Sequence, residues 1–149
     1  MNAPEMYKDV LLDHFHHPRN KGDVAGLEHV HRGSNPRCGD ELEVGVHLDG
    51  ERLDTVRFHG RGCSVCIASA SMMTEAVTGI GRAQALALSE AMRAWFAAPP
   101  GDSVPALPEP LPEPLPEPLP ALAAVQSHPA RKRCVLLAWE ALADALRSE

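Results

Sequence analysis

The apolar residues of this chain change from an alternating to a helical spacing at Gly60-Arg61-Gly62, and that change limits the folds open to it more than any other feature. Before it, Leu42, Val44, Val46 and Leu48 alternate with polar residues over 41–48, and Leu53, Val56 and Phe58 recur over 52–59. A period near two describes strands with one buried face. Asp49-Gly50 between the runs signals a hairpin, because both residues tolerate the positive φ that tight hairpin turns demand. After the change, Ile67, Ala70, Met73, Ala76 and Val77 follow a helical period over 63–78, closing at Gly79. A second helix over 82–97 carries Leu86, Leu88, Met92, Trp95 and Phe96 until Pro99-Pro100 stops it. Strands followed by helices predict an α+β fold, with a small antiparallel sheet that keeps one polar face.

Other segments complete that outline. Met6, Val10, Leu11, Leu12 and Phe15 mark a first helix over 4–17, with Pro4 early and Pro18 as its stop. A short extended segment around Leu27–Arg32 supplies a third strand, with Leu27, His29 and His31 on one side. Residues 107–120 read Leu-Pro-Glu-Pro three times and then Leu-Pro, leaving too few amide donors for helix or sheet and predicting a polyproline II spacer. An apolar patch, Leu119–Val125, leads through His128-Pro129 into a last helix from about Ala130, with Cys134, Leu137, Ala138, Ala141 and Ala145 along one face. With 149 residues the chain fits one domain, 1–149, in which 98–125 forms a proline-rich insertion.

Charge and the remaining composition narrow the function. A net charge of −6 argues against nucleic acid as a partner. The N-terminal segment has neither a cationic region nor a long apolar run, so no membrane is expected and the cytoplasm is the default. In that reducing compartment the four cysteines suit metal binding or sulfur chemistry better than two disulfides.

Cys38 lies in Asn35-Pro36-Arg37-Cys38-Gly39-Asp40, where Gly39 allows a sharp turn that aims Cys38 and Asp40 at one centre. Cys63 stands at a helix start, where aligned peptide dipoles favour a thiolate. Cys134 follows Arg131-Lys132-Arg133, so nearby charge favours its thiolate too, although packing against Leu137 and Ala138 would equally explain it. Three thiolates and a carboxylate suit a closed tetrahedral metal site or a site that handles sulfur. Cys63-Ser64-Val65-Cys66 is formally a CxxC; Cys66 reads as an inward-packing small hydrophobe, with a supporting role at the site as the alternative. The histidines lack ligand spacing and read as solvated or hydrogen-bonded, with His59 the best candidate to support a metal ligand.

Three stretches, in order and approximate spacing, carry a family resemblance: Asn35 to Asp40, Gly60 to Cys63 with Ala68-Ser69-Ala70-Ser71-Met72-Met73-Thr74, and Arg131 to Cys134. They resemble the IscU/NifU-like iron–sulfur cluster assembly proteins. The insertion at 98–125 and Arg133, where the IscU branch typically has histidine, make the SufU branch the best match. The resemblance implies a three-stranded antiparallel sheet packed by helices on one side. It further implies a zinc site made by Cys38, Asp40, Cys63 and Cys134, and sulfur delivery by a pyridoxal-phosphate cysteine desulfurase of the SufS type, with onward passage to downstream iron–sulfur assembly proteins. Cys38 is the acceptor candidate, and any activity is at most that of a zinc-dependent sulfurtransferase acting with the desulfurase. The Leu-Pro-Glu-Pro filling and Cys66 depart from the family pattern.

Alternatives come from other classes. The same donors would hold a [2Fe–2S] cluster, or iron, in a scaffold on which the cluster is assembled before transfer. A structural zinc module could recruit a partner through its proline-rich arm.

Overall fold

The computed structural model describes residues 3–35, 39–97, 119–125 and 129–147. In chain order these form α1 (Ala3–His16), β1 (His29–Asn35), β2 (Asp40–Asp49), β3 (Arg52–Arg61), α2 (Ser64–Val77), α3 (Arg82–Ala97), a 3-10 helix (Leu119–Val125) and α4 (Pro129–Arg147). Cys38 and the repeat at 107–118 lie outside the described residues. The strands form an antiparallel sheet in the order β1-β2-β3.

The alternation read from the sequence sets the sheet's faces. Leu42, Val44 and Val46 are fully buried, whereas Glu41, Glu43 and His47 on the same strand are only partly so. Asp49 pairs with Arg52 across a two-residue loop whose first residue, Gly50, has φ of 64°, the positive angle that the Asp-Gly signal anticipates. A register shift between His47 and Leu48 lets both Leu53 and Val56, three apart, face the core. β1 begins later than the sequence reading put it. Its pairing runs from His29 with Val46 to Asn35 with Asp40, while Leu27 folds before the strand and, with Val24, covers Gly45 on the sheet's other face. A methyl group at Gly45 would come within 2.7 Å of Leu27 Cδ1 and 2.9 Å of Val24 Cβ.

α4 and α2 lie on the core face: α4 packs on β1 and β2, α2 on β3, and the two helices pack on each other. At Gly33 the lack of a side chain brings β1 against α4, since a methyl there would come within 3.1 Å of Leu137 Cδ1. The periodicity predicts one buried face on α2, but every residue from Cys66 to Thr74 is buried. Helices that are covered all round normally read as strongly apolar; this one instead uses Ala and Ser to admit neighbours on several sides. Its hydroxyls are paired: Ser69 Oγ donates to Val135 O at 2.7 Å and Thr74 Oγ1 to Ser71 O at 2.7 Å. Around this pair, α3 packs on α4 and α1 packs on α2. The apolar patch Leu119–Val125 takes helical form. Leu119, which ends the repeat and opens that patch, is fully buried with Leu122, and their helix packs against α1 and α2. Two apolar residues one turn apart bury enough surface, about 2 kcal/mol each, to hold this short helix onto the core.

Candidate metal centre

Three elements deliver side chains to one end of α2. Asp40 opens β2 on the core face, next to Leu42 in the alternation, and is 2% exposed. It is brought there by the β1–β2 connection, which Asn35 and Asp40 close as a pair and in which Gly39, at φ of 73°, donates its N–H to Asn35 O at 2.9 Å. Cys63 is the N-cap of α2; its N–H donates to Asp40 Oδ1 at 3.1 Å and its C=O accepts from Ile67 N–H at 3.1 Å. Cys134 comes from the second turn of α4 and is 2% exposed.

The glycines around Arg61 make that approach possible. At Gly60, with φ of 140°, a methyl group would sit 2.1 Å from Glu41 O, so the two strands could not close at this end. At Gly62 it would sit 2.8 Å from Cys66 Sγ and 3.3 Å from Asp40 Oδ1. The sequence suggests that these glycines let the backbone approach a metal or a partner; what they approach is the protein's own β2 and the first turn of α2.

One ligand atom each from Asp40, Cys63 and Cys134 lies within 4.8 Å of the others. A tetrahedral zinc site with sulfur bonds of about 2.3 Å has its donors roughly 3.5 to 4 Å apart, so this grouping has the dimensions of such a site. The electrostatics point the same way. The Cys134 thiol is pushed up strongly, first by burial and then by Cys63 and Asp40 beside it. That reverses the expectation that Arg131, Lys132 and Arg133 favour its thiolate: Arg131 and Arg133 are exposed, and the low-dielectric contact with two potential anions outweighs them. A divalent cation among the three groups would invert this balance, replacing a proton with charge that all three favour.

Cys38, two residues before Asp40, lies outside the described residues. Cys66 is fully buried in the first turn of α2, as the packing reading anticipates, and is not one of the three grouped residues. His59 is exposed in an open groove with Arg32, Glu41, Glu43 and Arg61, on the sheet face away from Asp40, so it does not support the grouped ligands.

The sequence drew no attention to a second buried polar cluster on α2. His14 of α1 is 3% exposed, and its Nδ1 lies 2.7 Å from Ser71 Oγ, which also accepts the Arg19 N–H at 2.8 Å. His14 Nε2 lies 3.4 Å from Glu75 Oε1, and Asn20 Nδ2 donates to Thr74 Oγ1 at 3.0 Å. Burial, and then Arg19, lower the His14 pKa below the usual histidine value despite the carboxylates of Glu75 and Asp13.

The NifU-like N-terminal domain matches residues 6–101. The chain belongs to that family. Over 148 residues it is 34% identical to the zinc-dependent sulfurtransferase SufU of Bacillus subtilis, covering 99% of this chain and 94% of that one. It is also 34% identical over 142 residues to the iron–sulfur cluster assembly scaffold protein IscU of Streptococcus pyogenes, covering 95% and 83% of the two chains. In structure it superimposes, with a TM-score of 0.80 and 25% identity, on a Fervidobacterium islandicum protein provisionally described as an iron–sulfur cluster assembly scaffold for the SUF system. That likeness covers 98% of this chain and all of the other. The α+β architecture, a three-stranded antiparallel sheet with helices on one side, is thus the family's. Among the described residues no helix is long and apolar enough to cross a membrane.

Proposed function

We propose that this protein works in iron–sulfur cluster assembly, accepting persulfide sulfur from a cysteine desulfurase at a zinc-bound cysteine site and relaying it to downstream assembly proteins. The observation that carries this reading is the convergence of Asp40 from β2, Cys63 from the N-cap of α2 and Cys134 from α4 on one end of the fold. Similarity to a relative named as a zinc-dependent sulfurtransferase supports zinc as the metal. On this reading Cys38 is the fourth ligand, 1–149 acts as one domain with 98–125 as its insertion, and the protein works in the cytoplasm. When bound, zinc would hold the cysteines as thiolates and mask them from unselective reaction.

The residues of the chain then divide the work. Asp40 is anchored by the Cys63 N–H, which holds its carboxylate beside Cys63. Cys38 is the nucleophile on this reading, because its sequence neighbours Pro36 and Gly39 are turn formers, whereas Cys134 is buried on α4. Its thiolate attacks the terminal sulfur of the desulfurase's cysteine persulfide. A bond forms between Cys38 Sγ and that sulfur, the persulfide S–S bond breaks, and the desulfurase cysteine leaves as a thiolate. The protein is thus at most a sulfurtransferase, acting only together with a pyridoxal-phosphate desulfurase.

The test is transfer of labelled sulfur from a cysteine desulfurase to the zinc-loaded protein. We expect label on the wild type and at least a tenfold slower transfer to Cys38→Ala. Transfer to that variant at the wild-type rate would refute Cys38 as acceptor. Thiolates also suit an iron–sulfur cluster, and similarity to IscU scaffolds gives that reading its support. Colourless, zinc-containing protein after aerobic purification favours sulfur relay; brown protein with a charge-transfer spectrum favours the scaffold.

A further inference from the structure

Cys66 is a described cysteine that the zinc reading does not use. Cys63 is the N-cap of α2, and Cys66 is its third helical residue. Those two helix positions are neighbours by construction: in a capping box their side chains reach each other's backbone amides. The Ile67 N–H to Cys63 C=O bond shows that this first turn is closed. Residues three apart around such a turn have Cα atoms about 5 Å apart, within the span of a disulfide. The space at Gly62 gives a second, independent bearing on Cys66. Its sulfur lies 2.8 Å from where a methyl at Gly62 would stand, a point 3.3 Å from Asp40 Oδ1, so it is turned back toward the chain entering the helix and toward the donor end. Cys63 is partly exposed and Cys66 is fully buried. A soluble oxidant therefore meets Cys63 first, and Cys66 answers from within.

We propose that Cys63 and Cys66 form a reversible dithiol–disulfide pair whose oxidation withdraws Cys63 from its cluster with Asp40 and Cys134. The oxidant is a small-molecule disulfide. The Cys63 thiolate attacks one of its sulfurs, forming a mixed disulfide, and the departing thiolate takes up the proton that Cys63 lost. Cys66 then gives up its proton and attacks Cys63 Sγ, forming the Cys63–Cys66 bond and expelling the second thiolate, which takes that proton. Two protein thiols are oxidised, one disulfide is reduced to two thiols, and a dithiol reductant runs the sequence backwards. Cys134 is the competing partner, since its ligand atom lies within 4.8 Å of that of Cys63. Pairing with Cys66 wins because it needs only side-chain rotation within one turn, whereas Cys134 is held on α4 by packing against the sheet and α2.

Peptide mapping of the full chain tests this directly. The protein is stripped of metal with a chelator, exposed to oxidised glutathione, and cut with trypsin without reduction. Cleavage after Arg61 and Arg82 puts Cys63 and Cys66 in one peptide, while Cys134 begins a separate peptide after Arg133 and Cys38 another after Arg37. We expect the 62–82 peptide to become lighter by two hydrogen atoms and dithiothreitol to restore its mass. Cross-linking of that peptide to the one bearing Cys134 or Cys38, or glutathione persisting on Cys63, would overturn the proposal. In Cys66→Ser the mixed disulfide should persist; if that variant does not fold, the wild-type map decides alone. The consequence for the site rests on the zinc reading and is followed separately, by zinc released to a chromophoric chelator. Release that tracks disulfide formation supports withdrawal of Cys63, and a disulfide formed with zinc retained refutes it. A chain that never binds zinc would refute the zinc reading while leaving the peptide map interpretable.

Discussion

α2 carries two buried polar clusters, and they are built on opposite principles. In its middle, Ser71 and Thr74 meet His14, Arg19 and Asn20. There, each hydroxyl has donors and acceptors of complementary type, and the cluster is complete from the chain's own residues. At its N-terminal end, Asp40, Cys63 and Cys134 are three groups that in their ionised forms repel one another, and burial, followed by this contact, raises the Cys134 pKa. Complementary groups fasten one helix to another. Like groups brought together are, on the proposed reading, a place for a cation, so burial alone does not distinguish a structural cluster from a binding site.

The contrast is broken most forcefully by adding and removing metal. Zinc at a thousandfold excess over its dissociation constant should stabilise the fold by about 4 kcal/mol, because binding links α4 to the sheet and α2. The measurement is a urea unfolding midpoint for loaded and stripped protein. Asp40→Asn keeps an oxygen that can accept the Cys63 N–H but removes the charge, so it should retain the fold and lose most of the zinc-dependent gain. Equal midpoints with and without zinc would place the donor end in the same category as the His14 cluster.

The opposite result is expected from Ser71→Ala. It leaves His14 Nδ1 and the Arg19 N–H without their partner in a buried contact, at a cost of about 2 kcal/mol, while zinc content stays at the wild-type value. Loss of zinc with this substitution would show that the two ends of α2 are not independent.

The smallest effect is a pH dependence. Because burial lowers the His14 pKa in the folded state, the unfolded chain binds a proton there first on acidification. The contribution of this contact is therefore complete above the unfolded histidine value of about 6.5 and is lost as the pH falls below it toward the folded pKa. Amide exchange in α1 should accelerate over that window in the wild type, and His14→Gln should flatten the change.

Legibility in the sequence follows the range of the interactions. The β2–β3 hairpin was readable because the alternation and Asp49-Gly50 are local, and even the bulge left a trace in the three-residue spacing of Leu53 and Val56. Helix α3, Arg82–Ala97, was legible because its apolar period and the Pro99-Pro100 stop are local signals. β1 was shifted because its extent is set by pairing with β2, and Leu27 looked like a strand residue until Gly45 gave it a surface to cover. The His14 contact could not be read at all, since Ser71 is 57 positions away. Among the expected ligands, Asp40, Cys63 and Cys134 were legible as residue types in motif surroundings. Their electrostatics were not: the basic run before Cys134 is adjacent in sequence, but the burial and the two neighbours that dominate its pKa are tertiary.

On the proposed reading these side chains, with Cys38, surround one zinc ion. The decisive experiment is zinc K-edge absorption of the purified protein. We expect three sulfur donors at about 2.3 Å and one oxygen at about 2.0 Å, with a sulfur lost in Cys134→Ala. A shell of nitrogen and oxygen alone, or a spectrum unchanged by that substitution, would contradict it.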